Sequence, residues 1–171
     1  MDGRQAGWGD LLGGVTIVVT RIETGHTFIG QIPVSFFQGP SFHEKQYLDK
    51  AVEVVLSGIR VLDVPQSELI RICTGYVLSK VRREVWRLCY NMEPAKITGH
   101  THELAEEAFV RGLEQIDLSS VLMDAGKRGF SNQLKWVHED LAVREKHVKT
   151  GWPSWAKRLR GGSSNGTKSK E

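Results

Sequence analysis

Cysteine is scarce in this chain, with only Cys73 and Cys89 among 171 residues. The two form neither a CxxC pair nor a zinc-ligand spacing. That argues against a disulfide-stapled scaffold or a cysteine-based zinc module and predicts two buried free thiols. Long apolar runs are also missing: none approaches the roughly 20 residues that a membrane span requires, and mean hydropathy is −0.29. The first ten residues carry Asp2, Arg4 and Asp10 with no apolar signal core, so the expectation is a cytoplasmic protein. Catalytic signatures are absent too. The glycine-rich opening, Gly7-Trp8-Gly9-Asp10-Leu11-Leu12-Gly13-Gly14, lacks the GK[ST] ending of a P-loop and opens no GxGxxG turn into a helix. There is no GxSxG elbow, no HExxH pair and no local cysteine-protease signature, so Cys73, Ser79 and the six histidines suggest no nucleophile–base pair.

What is present is a cycle that occurs twice. Leu69-Ile70-Arg71-Ile72-Cys73 reads as a strand, Thr74-Gly75 as a break, and the pattern to Cys89 as a helix. Ala95-Lys96-Ile97-Thr98, Gly99 and the helical pattern from His102 to Ile116 repeat it. Strand, glycine and helix in succession predict two β-α units and an α/β fold. Upstream, Val15 to Ile22 is rich in β-branched residues and predicts a buried strand. His26 to Val34 predicts a second strand, with Ser35-Phe36-Phe37-Gln38 continuing it or forming a third. Ser41 as N-cap and Glu44 three residues on predict the start of the first long helix, whose stripe is Leu48, Val52, Val55, Ile59 and Leu62. Val77, Val81, Val85 and Leu88 form the stripe of the second helix, and Ala105, Phe109, Leu113 and Ile116 that of the third. Asp117 to Gly129 reads as a connector with a short helix around Val121-Leu122-Met123. Phe130, Leu134, Val137 and Leu141 predict a fourth helix from Ser131. The resulting organisation is a glycine-rich entry segment over 1–14, an α/β domain over 15–118, a helical extension over 119–150, and a basic arm with a disordered tail over 151–171.

Charge is unevenly placed. Residues 141–171 hold eight basic residues against Glu145 and Glu171, a net +6, which leaves the first 140 residues at −3. A mildly acidic body with a basic end predicts that the end meets a polyanion. Trp152 and Trp155 stand three apart among Lys149, Lys157, Arg158 and Arg160, combining flat stacking surfaces with phosphate-seeking charge. The same tryptophans could instead fold back on the core as an anchor. On the second helix Lys80, Arg83 and Arg87 form a basic row, either a solvated face or an extension of a phosphate footprint.

With a three-stranded meander, the order of strands and helices from Val15 to Ile116 resembles the ribonuclease H-like superfamily. The resemblance implies a mixed sheet and, in active members, carboxylates that gather two divalent ions for phosphodiester displacement. On this sequence those positions would fall to Asp10, Glu44 or Glu53, and Glu103 or Glu107, with Mg²⁺ or Mn²⁺ as cofactor. The first predicted strand carries no acid, however, and the fourth ends in Cys73-Thr74 where an Asp would stand. The expectation is therefore a nucleic-acid-binding protein, RNA rather than DNA, that lacks a complete catalytic centre. A metal-dependent nuclease and an adaptor within a protein complex are the alternatives. His100 and His102, with Glu106 or Glu107 a turn on, offer metal ligands at a β-α turn; helix capping by Thr101 accounts for the same pattern.

Overall fold

The computed structural model describes residues 1–115, 129–152 and 155. Its sheet has five strands in the order β3-β2-β1-β4-β5. These are β1 Asp2–Ala6, β2 Val15–Thr20, β3 Thr27–Ile32, β4 Ile70–Cys73 and β5 Met92–Ala95. β2 runs antiparallel to β1 and β3, while β4 runs parallel to β1 and β5 parallel to β4. The α/β class is as expected, but the meander is built differently. Its third strand is β1, inside the segment read as an entry loop, and it forms the centre of the sheet. Asp2-Gly3-Arg4-Gln5-Ala6 holds no β-branched residue and so gives no propensity signal. Pairing from Asp2↔Thr20 to Ala6↔Thr16, and Asp2↔Arg71 on the other side, makes it a strand. Ser35-Phe36-Phe37-Gln38, read as continuing the second strand or forming a third, does neither: Val34–Phe37 turns as a 3-10 helix after Pro33, and Gln38 follows as its C-cap.

Alternation along the strands sorts two cores. On one face Val15, Ile17, Val19, Ile70 and Ile72 pack under α2 (Gln46–Val61) and α3 (Ser79–Arg87). On the other, Ala6 and Val18 lie beneath Ala105, Phe109 and Leu113 of α4 (His100–Glu114). All six residues of β2 are consequently buried. Each such Val or Ile contributes about 1.5–3 kcal/mol by leaving water.

The first long helix is divided. A five-residue α1 (Gly39–His43) precedes α2, and Lys45 between them takes the left-handed conformation at φ 57°. Ser41 therefore lies inside α1, and Glu44 closes α1 instead of completing a capping box. The face that α2 buries is Tyr47, Ala51, Val54, Val55, Gly58 and Ile59, with Leu48 and Val52 at its border. In α3, Val81 and Val85 are buried as expected, but Leu88 lies at the exposed end. The second β-α unit starts earlier than its sequence suggests: β5 is Met92–Ala95, and Ile97 is buried beyond it. Pro94 is tolerated because β5 is an edge strand, where a missing N–H leaves no ladder bond unmade. Cys73 is buried, whereas Cys89 is exposed at φ 61°, contrary to the expectation of two buried thiols.

Beyond residue 128, α5 (Phe130–Glu139) and the short α6 (Leu141–Arg144) join the α4 side. Buried Gln133 accepts from the Leu11 and Leu12 amides at 2.7 and 3.2 Å, pinning the loop after β1. The chain then returns along that loop: Gly13 N–H donates to His147 O at 2.9 Å and Lys149 N–H to Leu11 O at 3.0 Å. Ile116, the expected short helix at 121–123, and residues 156–171 of the arm and tail lie outside the described residues.

Candidate nucleic-acid interface

β1 and β4 are parallel neighbours whose chains leave in opposite directions, β1 toward β2 and β4 toward β5. Such a switch point leaves a crevice outside the carboxyl ends of the two strands, where open α/β sheets bind ligands. Arg4 and Gln5 near the end of β1, and Thr74, Gly75 and Tyr76 after β4, stand at this place. A Cβ on Gly75 would sit 3.0 Å from the Gln5 amide nitrogen, so the backbone here passes close to that side chain. Arg82 secures the loop by donating to Cys73 O at 2.6 Å and Gly75 O at 3.2 Å.

An aromatic cluster covers the same end of the sheet. Trp8 has ring centroids of Phe37, Tyr47, Tyr76 and Trp152 at 6.0, 5.6, 6.1 and 6.3 Å. Such tilted and edge-on pairs suit the aromatic quadrupole. Tyr76 remains 47% exposed, whereas Tyr47 is buried. Burial, then the neighbouring Tyr76 hydroxyl, pushes the Tyr47 phenol up to about 12. Under the cluster lies Lys149, fully buried, with Nζ donating to Gly7 O at 2.6 Å and Asp10 O at 2.7 Å. Desolvation brings its ammonium down to about 7, only partly opposed by the charge of Asp10.

The structure therefore divides the predicted binding residues. Lys149 is a core residue and cannot reach a phosphate backbone. Trp155, 4% exposed, donates from Nε1 to Glu145 at 3.3 Å and packs with Trp136 and Val137, so it takes the anchoring role. Trp152 is half-buried against Trp8. Lys157, Arg158 and Arg160 lie outside the described residues.

Lys80, Arg83 and Arg87 do share α3, which carries four basic residues against Glu84, a net +3 in nine residues. Lys80 pairs with Asp49 of α2. Arg87 reaches Glu84 at 2.7 Å and Arg83 reaches it at 3.9 Å, both with exposed side chains. The hydrogen bond from Arg87 leads the causes that hold the Glu84 carboxyl below its ordinary range. Between Arg83 and Arg87 stands Trp86, 70% exposed, which the charge pattern alone did not single out. Its position off the Val81–Val85 stripe was the available signal: an aromatic residue there has no core to enter.

The candidate acids are scattered. Asp10 accepts from Gln133 Nε2 at 2.8 Å, and Glu44 accepts from Gln46 at 2.7 Å. Glu53 takes Lys50, Glu107 takes Arg111, and Glu103 is exposed on α4. Two divalent ions need acidic oxygens converging from several elements. Here Asp2, the only acid on β1, is bound to Arg71, and β4 ends without an acid. This donor set does not fit such a centre. Among the described residues no three His, Cys, Asp or Glu side chains are gathered to hold a metal, the His100–His102 turn included. No helix among them is long and apolar enough to cross a membrane. No known protein-family profile matches the chain, and a search of curated proteins returns no relative.

Proposed function

We propose that this chain binds single-stranded RNA through the exposed face of α3, on a body of ribonuclease H-like type that does not use two-metal chemistry. The observation that carries the reading is Trp86, exposed between Arg83 and Arg87 on a helix of net charge +3. A flat ring flanked by guanidinium groups provides a base-stacking platform beside phosphate-seeking charge, the combination that single-strand binders use. The sheet order β3-β2-β1-β4-β5, with only β2 reversed, supports the ribonuclease H-like part of the reading.

Titration of a fluorescent single-stranded RNA at several salt concentrations tests this. Trp86→Ala is expected to weaken binding about tenfold, since a stacked base is worth about 1–3 kcal/mol. Arg83→Gln and Arg87→Gln should each lower the salt slope by about 0.7, one phosphate apiece. With Mg²⁺ present the RNA should remain intact on a gel. A flat titration would overturn the proposal and leave the exposed ring of Trp86 as an apolar contact for a protein partner.

A further inference from the structure

A cleft of about 200 Å³ opens beside α4, at the end of the sheet where β2 begins and β3 ends. Backbone contacts bring its walls together. Thr16 and Gln31 are register partners on β2 and β3, and Gly13 N–H donates to His147 O at 2.9 Å. A Cβ on Gly112 of α4 would stand 3.3 Å from Gln31 Nε2. Glycine keeps the space open: a Cβ on Gly13, at φ 71°, would meet Leu113 at 2.7 Å, and a side chain on Gly112 would enter the cleft.

The groups that line it are selective. Thr16 is only 2% exposed, yet its hydroxyl forms no hydrogen bond among the described residues. Buried hydroxyls are normally paired. Gln31 stands exposed at the mouth with its amide equally unengaged. Burial, then the charge of Lys146, lowers the pKa of the half-buried His147 imidazole. At neutral pH the ring therefore offers one donor and one acceptor nitrogen and carries no charge. Phe109 supplies apolar surface, and no Asp, Glu, Lys or Arg lines the cleft.

Such a site disfavours ions, which would find nothing to pair with. It suits a small neutral molecule with an apolar face and polar groups along its edge. An apolar cavity of about 150 Å³ takes a benzene ring, so the space here matches a flat heterocycle. A glutamine amide, with donor and acceptor side by side, pairs in bidentate fashion with a base edge. We propose that this cleft binds a nucleobase, with the Thr16 hydroxyl and the Gln31 amide bonded to its edge beside Phe109 and His147. The base belongs either to a free nucleoside or to an RNA strand. The strand source rests on the RNA reading above; the nucleoside source does not.

The test follows the imidazole NMR signals of the full chain while adenosine, guanosine, cytidine and uridine are added separately, with His147→Gln identifying the His147 signal. At least one nucleoside is expected to shift that signal saturably and to raise the melting temperature by about 3–6 °C at ten times its Kd. Thr16→Val keeps the branched shape and removes the hydroxyl. It should weaken binding about fivefold, the worth of one neutral hydrogen bond, and leave the free chain at least as stable. Gly112→Leu should fill the cleft and abolish the shift, with a gain in helix propensity. A His147 signal unmoved by all four nucleosides in the wild-type chain would overturn the proposal whether or not the variants fold. So would full affinity in either variant. Single-stranded RNA that moves the signal would place a strand base in the cleft, whereas RNA that binds without moving it would assign the cleft to free nucleosides. Trp86→Ala should lower RNA affinity and leave the nucleoside titration unchanged, which separates this site from α3. RNA that fails to bind while a nucleoside still does would reject the α3 reading alone.

Discussion

Lys149 links the stability of the fold to pH. Its ammonium has an ordinary value of 10.5 and is brought to about 7 by burial. Between those values the unfolded chain holds a proton that the folded chain has lost, so stability rises with pH across this window. The gain is at most about 1.4 kcal/mol per pH unit. Below about pH 7 both states are protonated and the burial cost is fully expressed. Urea melts of the wild type from pH 6 to 10 should show this rise, and Lys149→Met should flatten it. An identical slope in the variant would mean that a group other than Lys149 carries the dependence. The sequence displays Lys149 only as a positive charge in a basic stretch. The carbonyls that hold it belong to Gly7 and Asp10, at the far end of the chain, and no local pattern announces a contact of that range. Trp86 is the converse case, because its exposure follows from helical spacing alone.

Elements were legible where local pattern and tertiary demand agree. β2, α3 and the inward face of α4 follow from β-branched runs and three-to-four spacing. β1 was not legible, because its residues are poor strand formers and its state is decided by two neighbours far along the chain. The division between α1 and α2 was equally hidden: Lys45 in a left-handed conformation is unusual for a side-chain-bearing residue, and Ser41 with Glu44 imitates a capping box. Glycine places α2 on the sheet. A Cβ on Gly30 of β3 would meet Val54 Cγ1 at 2.5 Å, and one on Gly58 would meet Phe28 at 2.9 Å. These two positions allow the helix and the edge strand to approach closely. Gly30→Ala should therefore destabilise the chain by about 1–3 kcal/mol through overpacking, read as a lower urea midpoint. Val54→Ala in the same chain should recover part of that loss, because it removes the methyl groups in the way. If the double variant is no more stable than Gly30→Ala, strand propensity and not helix contact sets the cost.

At the scale of the whole molecule, charge and packing set different limits on the C-terminal region. The net +6 of residues 141–171 looks like one basic arm, yet the chain uses its first part structurally. Val148, Lys149 and Trp155 are buried, Gly151 N–H donates to Phe37 O at 2.9 Å, and Val148 bridges to Leu12. A chain ending at Glu145 removes these contacts and should lose cooperative folding, so its failure to bind RNA would say nothing about an arm. A chain ending at Ala156 keeps them and discards Lys157, Arg158, Arg160, Lys168 and Lys170 against Glu171 alone. It should melt within a degree or two of the full chain. If the discarded residues contact phosphates, its salt slope for single-stranded RNA should fall by about 0.7 for each phosphate released, as much as about 3.5 for all five. An unchanged slope at unchanged melting temperature would assign the polyanion contact wholly to α3. That outcome would also account for a body that is acidic over its first 140 residues: repelled elsewhere, an RNA strand would be steered to α3, whose local sign is reversed.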